Sequence, residues 1–208
     1  MKNIEIIESK NTIDYNYAIN FMESKISQVK NNFCKEIIWF LEHPSIYTSG
    51  RGNPIKQDKI NKIPIYNTNR GGKLTWHGPG QRIIYFIINL KKRGLDVRRF
   101  VNNIEQFIIS SLSNLDIKAY KKKNIVGIWA LDKNKSEAKI GSLGLRVSKG
   151  IIYHGLSINV TCALSNFNNI DPCGIKNSKV TSIKSLKNIT NKKIVDEILK
   201  KNLNIIFS

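Results

Sequence analysis

"NRGGKLTWHGPGQR", residues 69–82, sets four glycines, a proline, a histidine and two arginines between two apolar runs. A loop that only reverses direction needs one or two glycines at positive φ. Four imply backbone that takes unusual angles repeatedly or comes very close to something else. On its N-terminal side, EIIWFLEHP (36–44) reads as a strand ending at His43-Pro44, and IYTSGRGNP (46–54) as a turn-rich segment. On its C-terminal side, IIYFIINL (83–90) is a strand apolar enough to be buried.

Working outward, Tyr15, Ala18, Ile19, Met22, Ile26 and Val29 recur at the 3.6-residue period, which predicts a helix over 14–29 with Asp14 as N-cap. Val97, Val101, Ile104, Ile108 and Leu112 predict a second helix starting at Asp96. Short strands follow in IKAY, NIVGIWA, AKIGSLGLRV and GIIYHGLSINV, with DKNKS and SKG as hairpin turns. Residues 163–182 look irregular. A last helix begins near Thr190, with Ile194, Val195, Ile198 and Leu199 on one face. Helices at both ends with hairpin strands between them predict an α+β fold. With no internal repeat and no low-complexity linker, 1–208 reads as a single domain.

Composition narrows the function. The sequence has 34 Lys+Arg against 15 Asp+Glu, a net charge of +19 and a pI of about 9.9. Such a field favours anionic partners, but Lys, Asn and Ile are abundant throughout, so general compositional bias explains the charge equally well. The start MKNIEIIESK has no apolar signal-peptide core, and the run 83–90 is too short to cross a bilayer. Cys34, Cys162 and Cys173 cannot all pair and have no zinc-like spacing. The expectation is a cytoplasmic protein with free thiols, no membrane span, no metal and no cofactor.

A thiolate is the strongest nucleophile available to a protein. Cys34 sits beside Phe33 at a strand start and reads as a buried, inert thiol, and Cys162 has nothing distinctive around it. Cys173 lies in DPCGIK, in a loop, with Gly174 leaving the sulfur open to approach. It is a candidate nucleophile or a plain loop cysteine. Lys139, at the start of an apolar strand, is a candidate for lowering its pKa or a lysine whose stem lies along apolar surface. His77-Gly78 and His154-Gly155 each place an imidazole beside a glycine near a strand end, as catalytic groups or as hydrogen-bonded scaffold.

RGGKLTWHGPGQ resembles the RGGxxTxHGPGQ signature of the octanoyltransferases of lipoate biosynthesis. LEHPSIYTSGR, KIGSLGLRVSKGIIYHGLSINV and FNNIDPCGIKNSKVTSI resemble three further blocks of the same family in the same order, so the likeness covers nearly the whole chain. The resemblance implies the fold of the biotin/lipoate protein ligase superfamily: a mixed β-sheet, helices on one side, and a groove for an acyl chain. It implies transfer of an octanoyl group from octanoyl-acyl carrier protein to a lysine of a lipoyl domain or of the glycine-cleavage H protein. The acyl group would pass through a thioester on Cys173, with Lys139 lowering the pKa of that thiol and serving as general acid and base. The pocket would be built from Arg70, Gly71, Gly72, Lys73, Leu74, Thr75, Trp76 and His77, from Ser142, Leu143 and Gly144, and from Gly155, Leu156 and Ser157. One departure stands out: where the family has N-x-D-L, this chain has Thr161-Cys162-Ala163-Leu164, which removes an aspartate that would cap or hydrogen-bond locally.

Two rivals remain. An ATP-dependent lipoate or biotin protein ligase of the same superfamily would use no cysteine, but its glycine-rich loop is not followed by HGPGQ. A nucleic-acid-binding domain would account for Lys91-Lys92-Arg93 and Lys121-Lys122-Lys123, but no recognition motif accompanies those runs, so no specific nucleic-acid partner is expected. The nucleophile assignment has a direct test. Cys173→Ala is expected to abolish acyl transfer while Cys34→Ala and Cys162→Ala stay largely active; a dead Cys162→Ala protein would move the nucleophile to that residue.

Overall fold

The computed structural model describes residues 3–171 and 178–208; the candidate nucleophile Cys173 lies outside the described residues. In chain order the elements are β1 (Ile4–Glu8), α1 (Tyr15–Lys30), β2 (Glu36–Leu41), β3 (Ile46–Ser49), β4 (Lys59–Ile60), β5 (Ile63–Asn67), β6 (Thr75–His77), β7 (Gln81–Asn89) and α2 (Val97–Ser113). There follow β8 (Ala119–Lys122), β9 (Ile125–Leu131), β10 (Glu137–Ser148), β11 (Ile151–Asn159), α3 (Ile183–Lys187) and α4 (Lys192–Asn202). The caps follow the sequence: Asp14 accepts from the Tyr17 N–H at 2.9 Å, and Asp96 from the Arg99 N–H at 2.8 Å.

The larger sheet has seven strands in the order β1-β2-β7-β11-β10-β9-β8. Only β1 and β2 pair in parallel; the other neighbours are antiparallel. β2 and β7 are buried at nearly every position, and the period-2 alternation of a strand sends their apolar side chains to two separate cores. Ile38, Phe40, Ile84, Phe86 and Ile88 face α2, α4 and the C-terminal turn, packing on Phe100, Ile104, Phe107 and Leu199. Ile37, Trp39, Leu41, Ile83, Tyr85 and Ile87 face α1, packing on Ala18, Met22, Ile26 and Val29. Helices therefore cover both faces of the sheet, and the expectation of helices on one side is corrected. A run without polar alternation leaves neither face fit for water.

A second mixed sheet has four strands in the order β4-β5-β3-β6, with β3 parallel to β5 and antiparallel to β6. Two of its strands fall where the sequence reads as loop. The segment from Ile46 is buried strand through Ser49, and Thr75–His77 forms a strand inside the glycine-rich stretch. Both are short and pair only with distant segments, so local propensity does not announce them. β1 escapes sequence reading for the same reason.

An ion cluster fixes the end of the glycine-rich stretch to α4. Arg82 makes a bidentate contact with Asp196 (2.8 and 2.7 Å), and Lys192 donates to Glu42 (2.8 Å). Glu42 also accepts the Gly80 N–H (2.8 Å). Gly80 has φ +83°, and a β-carbon there would sit 2.6 Å from the Thr161 hydroxyl, so no other residue fits this turn. No helix among the described residues is long and apolar enough to cross a membrane.

Burial makes a simple stability contrast between two phenylalanines. Phe107 is fully buried and Phe33 is 80% exposed. Phe107→Ala is expected to cost about 3–5 kcal/mol by urea unfolding, and Phe33→Ala less than about 0.5 kcal/mol.

Candidate active site

One cavity of about 640 Å³ opens between the glycine-rich stretch, β10, β11 and the β8–β9 turn, a size ordinary for a small-molecule site. Arg70, Gly71, Gly72, Lys73, Leu74, Thr75 and His77 line it from one side, and Ser142, Leu143, Gly144, Gly155, Leu156 and Ser157 from the sheet; Lys139 is also on its wall. The structure thus brings together the described residues singled out in the sequence, with one exception. Trp76 points away: strand alternation puts Thr75 and His77 on the cavity side and Trp76 on the other. Its indole is 1% exposed, packs edge-on to Phe167 and donates to Ser45 Oγ at 2.9 Å. Gly78 lies directly beneath that ring, where a β-carbon would collide with it. Of the four glycines, Gly71 and Gly72 border the cavity while Gly78 and Gly80 serve packing and turn.

Arg70 also lines the cavity, but its donors hold the loop. Its guanidinium donates to Gly71 O at 2.7 Å, Thr48 Oγ1 at 2.8 Å and Lys73 O at 2.9 Å, and also to Thr48 O. This planar fork laces the RGGK segment onto β3.

Sequence reading misses Tyr15, Val101, Asn124, Ile125, Val126 and Leu145 as wall residues. Tyr15 reads as helix core, which it also is. In the apolar strand at 83–90, Ile83 and Tyr85 are on the wall, and Ile84, Phe86, Ile87 and Ile88 are core. The β8–β9 turn has no signal beyond a polar tip.

Lys139 is 3% exposed, unusual for a lysine. Its Nζ donates to Val126 O at 3.1 Å. Its backbone N–H donates to Lys179 O (2.8 Å) and its carbonyl accepts from the Thr181 N–H (2.9 Å), a parallel bridge that ties β10 to residues 179–181.

Two imidazoles, those of His77 and His154, are on the wall, and a third, His43, reaches it through the Tyr85 hydroxyl. Gln81 Nε2 donates to Asn159 Oδ1 (2.9 Å) and Trp76 O (3.3 Å), so its Oε1 faces His77 and His77 Nδ1 donates to it (2.7 Å). His43 Nδ1 donates to Ile13 O (2.6 Å), and the Tyr85 hydroxyl donates to His43 Nε2 (2.8 Å). Burial pushes His43 down to about 4, and burial with the charges of His43 and Arg70 pushes His77 down to about 3. Burial first, then Arg70 and Arg146, brings His154 down to about 3. Three neutral imidazoles offer hydrogen bonding here, not proton transfer at neutral pH. The remaining thiols are quiet: Cys162 is buried, which pushes its thiol up to about 12, and Cys34 lies partly buried at the edge of the α1 core. Among the described residues no group of three His, Cys, Asp or Glu side chains could hold a metal ion.

The depressed histidines make a pH prediction. An unfolded chain binds protons at these sites near pH 6.5 and the folded chain does not until pH 4 to 3, so stability is full above 6.5 and falls as pH drops toward 3. The urea midpoint should decline steadily from pH 7 to pH 4. A flat profile would show that the imidazoles titrate normally in the folded chain.

The family model described as "Lipoyl protein ligase A/B catalytic domain" matches residues 14–202. A protein of Ehrlichia canis named octanoyltransferase is 43% identical over 199 residues, 94% of this chain and 92% of its own length. One of the same name from Wolbachia pipientis is 42% identical over 205 residues, covering 98% and 99%. A crystal structure of lipoate-protein ligase A bound with ATP superposes with a TM-score of 0.69 at 13% identity, over 98% of this chain and 84% of the other. At that identity the likeness is one of fold.

Proposed function

The chain belongs to the lipoyl protein ligase A/B catalytic-domain family, and from that we propose that it is an octanoyltransferase of protein lipoylation, with octanoyl-acyl carrier protein as donor and lipoyl domains or H protein as acceptors. The observation that carries the reading is Lys139, a buried lysine on the wall of an otherwise largely apolar cavity. It is bridged to the segment that follows the P-C-G motif in sequence. An ATP-dependent ligase has no use for a P-C-G cysteine, which this sequence carries, and the relatives named octanoyltransferase match at 42–43% identity over nearly the full chain.

The chemistry runs in two halves. The Cys173 thiolate attacks the octanoyl thioester, a new S–C bond forms, and the carrier thiolate leaves and takes a proton through Lys139. The acceptor lysine amine then attacks the acyl-enzyme, an N–C bond forms, the Cys173 thiolate leaves, and Lys139 takes up the proton lost by nitrogen. The first half exchanges one thioester for another and the second makes an amide, so no ATP is consumed. Backbone at Gly71 and Gly72 lies on the cavity border, where no β-carbon stands between main chain and substrate. Leu74, Leu143 and Leu156 supply apolar wall for the alkyl chain.

Incubation with octanoyl-acyl carrier protein, without ATP, should produce an adduct of one octanoyl group by intact mass, discharged by hydroxylamine and absent in Cys173→Ala. Charging of the protein only with free octanoate and ATP would overturn the transferase reading in favour of the ligase.

A further inference from the structure

Lys139 carries a flexible four-carbon stem, and nothing in its own chemistry fixes where the ammonium rests. The neighbouring strand β9 supplies that constraint. Lys139 pairs with Trp129 across the β9–β10 ladder, and the register then slips, so that Gly141 faces Ile128. Such an irregularity re-aims the side chains beside it. The end of the lysine crosses Gly127, and its Nζ donates to the Val126 carbonyl at 3.1 Å.

The crossing uses space that only a glycine leaves. A β-carbon on Gly127 would stand 2.7 Å from Lys139 Nζ, would overlap Lys139 Cε, and would sit 3.0 Å from the Gly141 carbonyl oxygen. Heavy atoms in ordinary contact keep about 3.5 Å or more apart, so the end of the lysine would have to retreat by on the order of 1 Å. Gly127 also has φ +127°, which L side chains rarely adopt. It is buried, and it is not among the described residues that line the cavity, although Asn124, Ile125, Val126 and Lys139 are. Its route to the site runs through the lysine.

We infer that Gly127 is a positioning residue for acyl transfer: its missing side chain gives the Lys139 ammonium its place on the cavity wall. The inference rests on the acid–base role that the proposed function gives Lys139. A group that passes protons must come within about 2.6–3.2 Å of its partner, and a misplacement of about 1 Å costs on the order of a hundredfold in rate. The atoms a β-carbon would displace are the end of a flexible side chain, which the fold gives up cheaply. The loss therefore falls on the chemistry.

Steady-state transfer of octanoyl from octanoyl-acyl carrier protein to a lipoyl domain tests this in the wild-type protein, Gly127→Ala, Lys139→Ala, the double variant and Gly150→Ala. Gly150 is the control for backbone strain: it has φ +83°, and a β-carbon there meets nothing within 4 Å among the described residues. Gly127→Ala is expected to lower kcat about a hundredfold with KM within about twofold of wild type, since the residues lining the cavity are unchanged. The double variant is expected to be no slower than Lys139→Ala alone, and Gly150→Ala to keep the wild-type kcat. A Gly127→Ala protein that is folded by circular dichroism and turns over at the wild-type rate overturns the inference. So does a double variant much slower than Lys139→Ala. If Gly127→Ala fails to fold, the double variant decides: folding regained once the lysine is shortened keeps the inference, and a double variant that also fails overturns it, the glycine then serving the backbone alone. Wild-type protein that transfers nothing removes the transferase reading and this role with it, whereas the other failures leave that reading intact.

Discussion

Gln81 is 1% exposed and its side-chain amide is the junction on which the site hangs. A buried primary amide must find partners for both of its ends, and here each partner belongs to a different piece of the machinery. Its oxygen sets the tautomer of His77; its nitrogen holds the Trp76 carbonyl and Asn159. Asn159 in turn donates to Thr181 O at 3.0 Å, and the Thr181 N–H donates to Lys139 O at 2.9 Å. A continuous chain of hydrogen bonds thus runs from the glycine-rich stretch, across β11, to the backbone of the buried lysine. The glutamine of H-G-P-G-Q is a structural keystone, which explains why a buried polar residue stands at the head of the strand.

The same region shows how charge and burial divide the polar work. Arg70 brings its positive charge to bear on His77 and His154, and its guanidinium is taken up by the Gly71 and Lys73 carbonyls of its own loop and by the Thr48 hydroxyl of β3. With that charge fixed nearby and water excluded, a second cation on an imidazole is unfavourable. The histidines are held as neutral acceptors and donors of defined sense. Lys139 stands apart from them along β10.

Much of this was legible in the residues, and the failures are instructive. α1, α2, β7, β9, β10 and β11 are long and periodic, so pattern alone places them. The capping aspartates mark helix starts because their side chains answer a local need. β1, β3 and β6 were not legible: each is short, and each owes its strand form to partners far away in sequence, such as the pairing of Ile46 with His77. The cavity wall divided in the same way. Loop residues from Arg70 to His77 could be named from their motif, but the outward turn of Trp76 follows from strand alternation that the motif hides. Tyr15 and Val126 reach the cavity only through tertiary packing, and no neighbour in sequence advertises it.

The strand order carries a consequence for how the chain reaches this structure. β7 sits between β2 and β11, with Ile87 paired to Ile37 on one side and to Tyr153 on the other. Both partners are remote in sequence, so the sheet's centre has high contact order and folds slowly compared with a helical bundle of this size. As synthesis proceeds from the N-terminus, β2 is ready when β7 appears, whereas β11 emerges much later. Until then β7 presents an apolar run of strand with one unpaired edge, the feature that recruits other chains into aggregates. The vulnerable interval in the life of this protein therefore lies between the emergence of β7 and the arrival of β11, and its length is set by the translation of α2 and the three strands that follow it.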